Sequence, residues 1–210
     1  MTEQMLDVLR SDMEKNMSPK RFRHTAEVEK MAVRLGRLYF GEDNDTLNKL
    51  RAAALLHDIT KELTPESQKQ ICIDFGVEMS SQMESAPPTQ HSYTASLLIP
   101  VLYPHLADEE IIGAVKYHTT GRADMTLAEK IIYLSDYIDC TRTFDDCVEL
   151  REMFWSVDIA AMTEGERLLH LDKVLLRSFE MTIVDLKARN RQISRETAEA
   201  RESLLSKINA

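Results

Sequence analysis

Six positions in this chain carry side chains suited to holding a metal ion: His24, the adjacent His57 and Asp58, His91, His118 and Asp136. Histidine nitrogen and carboxylate oxygen form a borderline-to-hard donor set, which suits iron, manganese or zinc better than an ion that needs thiolates. Taken singly, none of the six is informative, because a lone histidine in a helical protein is more often exposed or satisfied in the core than a ligand. The adjacent pair says more. In Ala52-Ala53-Ala54-Leu55-Leu56-His57-Asp58 two metal-capable residues follow an apolar run, where burying an unpaired polar group is costly. Neighbouring helix residues point about 100° apart, so an ion shared by both lies between their directions, near the helix end, with other ligands arriving from elsewhere. The bland alternative is a helix end emerging into solvent.

The elements that must position these residues read as helices. Six glycines and six prolines in 210 residues leave little turn material, which favours long helices over hairpins. Met5, Leu9 and Met13 recur at helical spacing and mark a first helix. Ser18-Pro19 reads as an N-cap followed by proline at the first helical position. The helix it opens carries Val28, Ala32, Leu35 and Tyr39 on one stripe, with Gly41 as its stop. A third helix from near Asp45 aligns Leu47, Leu50, Ala54 and His57, and Thr64-Pro65 opens a fourth. Residues 77–90, with Pro87-Pro88, read as the clearest loop, and helical patterns return at 91–103, 108–118 and 126–139. Beyond Asp145, residues Leu168, Leu169, Leu171, Leu175, Leu176 and Phe179 make a broad apolar face that fits either core or a dimer seam. No alternating β-branched run or internal repeat interrupts the pattern. The expected fold is all-α and one domain: residues 1–17 its N-terminal helix, 18–145 its core, and 146–210 a helical C-terminal extension packed on that core. His24 then falls near the start of the second helix, His91 opens a helix, His118 ends one, and Asp136 lies within a later one.

The ordered series H…HD…H…H…D on helices resembles the HD-domain superfamily of metal-dependent phosphohydrolases. The segments RFRHT, AALLHDITK, QHSYTAS, KYHTTGR and EKIIYLSDYIDCTR narrow the resemblance to the YqeK family of symmetrical dinucleoside tetraphosphatases, over residues 18–190 in order and spacing. The resemblance implies an HD-domain helical bundle, a homodimer, and symmetrical cleavage of diadenosine tetraphosphate into two ADP. It implies an iron centre of one or two ions, with manganese or another divalent metal as the alternative. His24, His57, Asp58 and Asp136 are assigned to a first ion. His91 and His118 either complete a second ion site or hydrogen-bond phosphate; two ions about 3.5–4 Å apart would clamp the attacked phosphoryl group. Asp58, His91 and His118 are the expected catalytic residues, one of the two histidines orienting phosphate or shuttling a proton.

Substrate contacts are expected from His24, Asp58, His91, His118 and Asp136, and from three cations. Lys61 follows Asp58 by one helical turn, Arg122 follows His118 in a loop that Gly121 lets turn tightly, and Arg142 follows the Asp136 helix. Thr60 and Gly121 add hydroxyl or backbone contacts. Asp139, one turn after Asp136, reads as a helix-surface carboxylate, with a partner behind a metal ligand as the alternative, and His105 and His170 fit no motif. Two rival functions remain: an HD phosphohydrolase acting on a nucleoside mono- or triphosphate or a guanosine alarmone, and a nucleotide-sensing module without turnover. Ligand-type residues at all six positions count against the second.

Composition narrows partners and setting. With 43% hydrophobic and 29% charged residues the chain has the make-up of a soluble globular protein. A net charge of −9 disfavours a nucleic-acid surface, which needs a basic excess, while leaving a small phosphate ligand in a pocket compatible. Cys72, Cys140 and Cys147 are odd in number and scattered, which fits a reducing compartment and neither a disulfide framework nor a thiolate cage. Met1 to Lys15 lacks a signal peptide's order, and no apolar run approaches roughly 18 residues. A cytoplasmic protein with no membrane or nucleic-acid partner is expected.

Overall fold

Helix starts in this protein are written in short polar side chains. Ser18, Thr64, Thr126, Thr163 and Ser194 each accept a hydrogen bond from the backbone N–H three residues on, and Thr126 and Thr163 complete capping boxes with Glu129 and Glu166. The computed structural model describes residues 1–78 and 86–209, among which regular structure is helical and no strand occurs. The α-helices of the described residues are α1 (Glu3–Asn16), α2 (Pro19–Phe40), α3 (Asn44–Leu56), α4 (Pro65–Asp74), α5 (Gln90–Leu102), α6 (Glu109–Tyr117), α7 (Leu127–Ile138), α8 (Asp145–Trp155), α9 (Glu164–Ala188) and α10 (Arg195–Ile208). Residues 79–85 of the expected loop lie outside the described residues; its end is a 3-10 turn at Pro87–Thr89 that runs straight into α5.

Helices α2 and α3 pack as an antiparallel pair, with α7 laid across both and α6 joining α3 to α5. The spacing that marks these helices in sequence is the spacing that buries them. Val28, Ala32 and Leu35 of α2 meet Leu50, Leu55 and Leu56 of α3 and Ile131, Ile132 and Leu134 of α7 in one continuous core. Gly41 ends α2 in a left-handed conformation (φ 62°). Leu171, Leu175 and Phe179 of α9 are fully buried in that same core, whereas Leu169 of the same face is exposed. Helix α9 packs on α7, α8 and α10.

Five elements bring the six metal-capable positions to one place. His24 lies in the second turn of α2, His57 is the C-cap of α3, His91 is in the first turn of α5, His118 is the C-cap of α6, and Asp136 is in the last turn of α7. The C-termini of α3 and α6 each bring roughly half a negative elementary charge of helix dipole toward this point, which favours a cation there.

Candidate metal centre

Each histidine is oriented by what its outer nitrogen touches. The Nδ1–H of His57 donates to the Ala54 carbonyl (2.6 Å), that of His118 to Val115 (2.7 Å) and that of His91 to Pro88 (2.8 Å). A backbone carbonyl only accepts, so in all three rings the proton sits on Nδ1 and Nε2 presents a lone pair. His24 is held differently, its Nδ1 lying 3.1 Å from Thr141 Oγ1 and 3.3 Å from Asp139 Oδ2.

The four Nε2 atoms converge on Asp58, and its two oxygens divide them. Oδ2 lies 3.3 Å from His57 Nε2 and 3.8 Å from His24 Nε2, while Oδ1 lies 3.2 Å from His91 Nε2 and 3.8 Å from His118 Nε2. Asp136 Oδ1 adds a further oxygen 2.9 Å from His24 Nε2 and 3.9 Å from His57 Nε2.

The donor set fits a metal ion better than a closed hydrogen-bond network. His24 Nε2 and His57 Nε2 are buried with no hydrogen-bond partner, although carboxylate oxygens sit 2.9 and 3.3 Å away. Nitrogen and oxygen so close yet not aligned with each other are aimed at shared space. His91 Nε2 and His118 Nε2 face each other at 3.0 Å, two acceptors in contact, an arrangement that a cation between or beside them relieves. Two three-residue groups, His24–His57–Asp136 and His57–Asp58–His118, each gather their donor atoms within 4.8 Å. Nitrogen and carboxylate oxygen without thiolate is the chemistry of iron, manganese or zinc.

Protonation states agree with that role. Burial opposes ionisation of Asp58, but His57 and His91 facing it hold its carboxyl well below the usual range. Burial likewise opposes ionisation of Asp136, and Arg142 and His24 hold it well below. Burial pushes His118 and His91 down, helped at His118 by the His91 and His57 rings and at His91 by Lys61 and His57, so both stay neutral. His24 is the exception: burial lowers its pKa, yet Asp136 and Asp139 outweigh burial and raise it to about 9. Ionised carboxylates and neutral imidazoles are the forms that ligate.

Three cations touch this cluster. Arg142 bonds the Asp136 carboxylate through Nη2 and its backbone oxygen through Nε (3.0 Å). Lys61 Nζ lies 3.3 Å from both nitrogens of His91, and burial pushes its pKa down. Arg21 Nη1 reaches Asp58 Oδ2 at 2.5 Å. Sequence reasoning missed Arg21, although its place three residues before His24 sets it on the same helix face.

The structure thus unites His24, His57, Asp58, Lys61, His91, His118, Asp136 and Arg142, and it redirects four other expectations. Thr60 is buried, and its hydroxyl donates to the His91 carbonyl (2.7 Å), fixing the start of α5. Gly121 adopts φ 63°, and a Cβ there would lie 2.5 Å from Phe179 Cζ; it is a close-packing point between the His118 loop and α9. Arg122 turns away from the cluster, its Nε 3.0 Å from both Glu129 oxygens and its guanidinium over the Tyr117 ring. Asp139 is not a surface carboxylate: it is fully buried against His24, with Oδ1 accepting from the Thr141 N–H at 2.7 Å. His105 is exposed, and His170 Nε2 donates to the Phe154 carbonyl (3.0 Å), both away from the site.

Comparison with known proteins places this arrangement among relatives. The family model for the HD domain matches residues 21–141, which contain all six positions. The chain is 30% identical over 185 residues to a protein of Bacillus subtilis (strain 168) named symmetrical bis(5'-nucleosyl)-tetraphosphatase, covering 88% of this chain and 89% of that one. It is 32% identical over 146 residues to a protein of the same name from Staphylococcus aureus (strain NCTC 8325 / PS 47), covering 65% and 68%. A crystal structure from Clostridium acetobutylicum, described as a predicted HD superfamily hydrolase involved in NAD metabolism, superposes with a TM-score of 0.80 at 31% identity, covering 96% of this chain and 97% of that one.

Proposed function

The chain belongs to the HD domain family of hydrolases, and we propose that it cleaves diadenosine tetraphosphate symmetrically into two ADP at the histidine–aspartate cluster. The observation that carries the reading is Asp58, whose Oδ2 faces His24 and His57 while Oδ1 faces His91 and His118. In this reading His24, His57, Asp58 and Asp136 would hold a first ion, and His91 and His118, beside Asp58, would hold a second or meet phosphate. Iron is the proposed metal, with manganese as the alternative, on the chemistry of the donors and the family resemblance. When bound, such ions supply Lewis-acid neutralisation of phosphoryl charge and lower the pKa of a coordinated water toward neutrality.

The chain's own residues do the rest. A cleft of about 730 Å³ opens outward from Lys61, His118, Thr119 and Asp136 between α7, α8 and α9. Lys61 and Arg142 line it and meet phosphate oxygens, so the polyanion is neutralised at its midpoint despite the acidic surface around it. Arg21 pairs with Asp58 Oδ2 and orients the carboxylate. The carbonyls of Ala54, Pro88 and Val115 lock the rings of His57, His91 and His118, so no reorganisation is needed when charge develops. Residues 1–17 and 146–210 belong, in this reading, to one catalytic domain around the 18–145 core, with Phe179 bracing the loop that follows His118.

A cytoplasmic setting is proposed on the three free cysteines, and a homodimer on the family resemblance. No described helix is long and apolar enough to cross a membrane. The test is a product assay with iron-loaded protein over dinucleoside tetraphosphate, nucleoside mono- and triphosphates and a guanosine alarmone. ADP as the sole product from diadenosine tetraphosphate is the expected result; ATP plus AMP, or no cleavage, overturns the assignment.

A further inference from the structure

The metal cluster accounts for the inner end of the cleft and leaves its outer end without a task. From Lys61, His118 and Asp136 the cleft runs past Arg142 and Tyr137 to Phe144 and the first turn of α8, with Thr182, Asp185 and Arg189 of α9 on the opposite wall. About 730 Å³ is more than phosphates alone occupy and lies within the range of sites that enclose a ligand, about 300–1,000 Å³.

Phe144 is anomalous there in two independent ways. It is 66% exposed, although it is a large apolar side chain. It is also the N-cap of α8, where its side chain cannot cap, whereas every other α-helix of the described residues has serine, threonine or aspartate at that position, and all of these but Thr89 accept a capping hydrogen bond. An apolar N-cap leaves the first N–H groups of the helix unsatisfied by the cap side chain. A residue that neither caps its helix nor fills the core, yet stands on the rim of the phosphate cleft, fits a role in contacting ligand.

Charge orders the cleft from inside to outside. Lys61 and Arg142 lie at the inner end, while Asp145, Asp146 and Asp185 line the outer part, with Asp185 paired to Arg189 at 2.9 Å. Phosphates are drawn inward and repelled from the rim; a neutral, flat group is what the rim accepts. We propose that Phe144 is the stacking platform for the nucleobase of the substrate half bound in this cleft. Every base presents a π-face, so the platform selects for a nucleoside, purine over pyrimidine by ring area, without reading base edges. The proposal rests on the phosphohydrolase reading of the cluster.

The test is calorimetric binding of ADP and of inorganic pyrophosphate to the metal-loaded protein and to two variants, Phe144→Ser and Phe144→Trp. Phe144→Ser supplies a favourable N-cap, so the variant keeps or raises its melting temperature. It is expected to bind ADP more weakly by about tenfold, the scale of one base–aromatic stack, with pyrophosphate binding unchanged; Phe144→Trp restores ADP affinity. Equal ADP affinity in wild type and Phe144→Ser, or a parallel loss for pyrophosphate, overturns the platform while leaving the hydrolase reading intact. Failure of the wild-type protein to bind either ligand overturns both.

Discussion

The two sides of Asp58 are built from the same side-chain type and behave differently. On the Oδ2 side His24 and His57 are joined by Asp136, with the buried Asp139 behind His24. On the Oδ1 side His91 and His118 are backed only by the carbonyls of Pro88 and Val115, with Lys61 alongside. The consequence is visible in proton affinity: carboxylates raise His24 to about 9 against the effect of burial, whereas burial, His–His repulsion and Lys61 lower His91 and His118. The Oδ2 side sets two carboxylates, Asp58 and Asp136, against a cation, whereas the Oδ1 side offers Asp58 alone beside neutral rings. In the proposed reading the ion on the Oδ2 side is therefore expected to be the more tightly held, and the Oδ1 side the more open to phosphate.

Removing what the two sides share has the largest effect. Asp58→Ala takes an oxygen from each side and leaves Arg21 without its partner, so both ions and all hydrolysis should be lost while helix content by circular dichroism is kept. Retention of metal in this variant would show that the cluster is not organised around Asp58. His118→Ala breaks one side alone. Elemental analysis should find one ion fewer per chain and a sharp fall in kcat, whereas loss of all metal would erase the distinction between the sides. The smallest of the three changes is Asp139→Asn, which keeps shape but removes the outer charge from His24. Chelator competition should show metal affinity lower by about 10–100-fold, the usual scale for a partner behind a ligand, and the loss should fall on the more tightly held ion. An unchanged affinity would mean that Asp139 only ties down Thr141.

Much of this was legible in order and spacing. Ser18-Pro19 and Thr64-Pro65 mark the starts of α2 and α4 because a cap and a proline act through bonds within one turn. The six metal-capable residues were legible because each stands at a helix end or follows an apolar run. What misled was direction after a helix stops. Continuing the turn from Asp136 favours a helix-surface carboxylate at Asp139 over a partner behind a ligand, but α7 ends at Ile138 and Asp139 is extended (ψ 156°), and its side chain reaches His24. Arg122 was counted with His118 by nearness in sequence, yet Gly121 at φ 63° reverses the chain and delivers it to Glu129.

Sequence alone therefore determined the helices, their caps, the types of donor available and the family to which their order belongs, since these depend on contacts within a few residues or on the series itself. The tertiary structure decided which nitrogen of each histidine faces inward, how Asp58 divides four rings between two oxygens, and that Arg21 and Asp139 take part while Arg122, Thr60 and Gly121 serve packing and position. Those outcomes depend on where separate helix ends meet and on backbone carbonyls that spacing does not reveal, and only the packed core brings them within bonding distance.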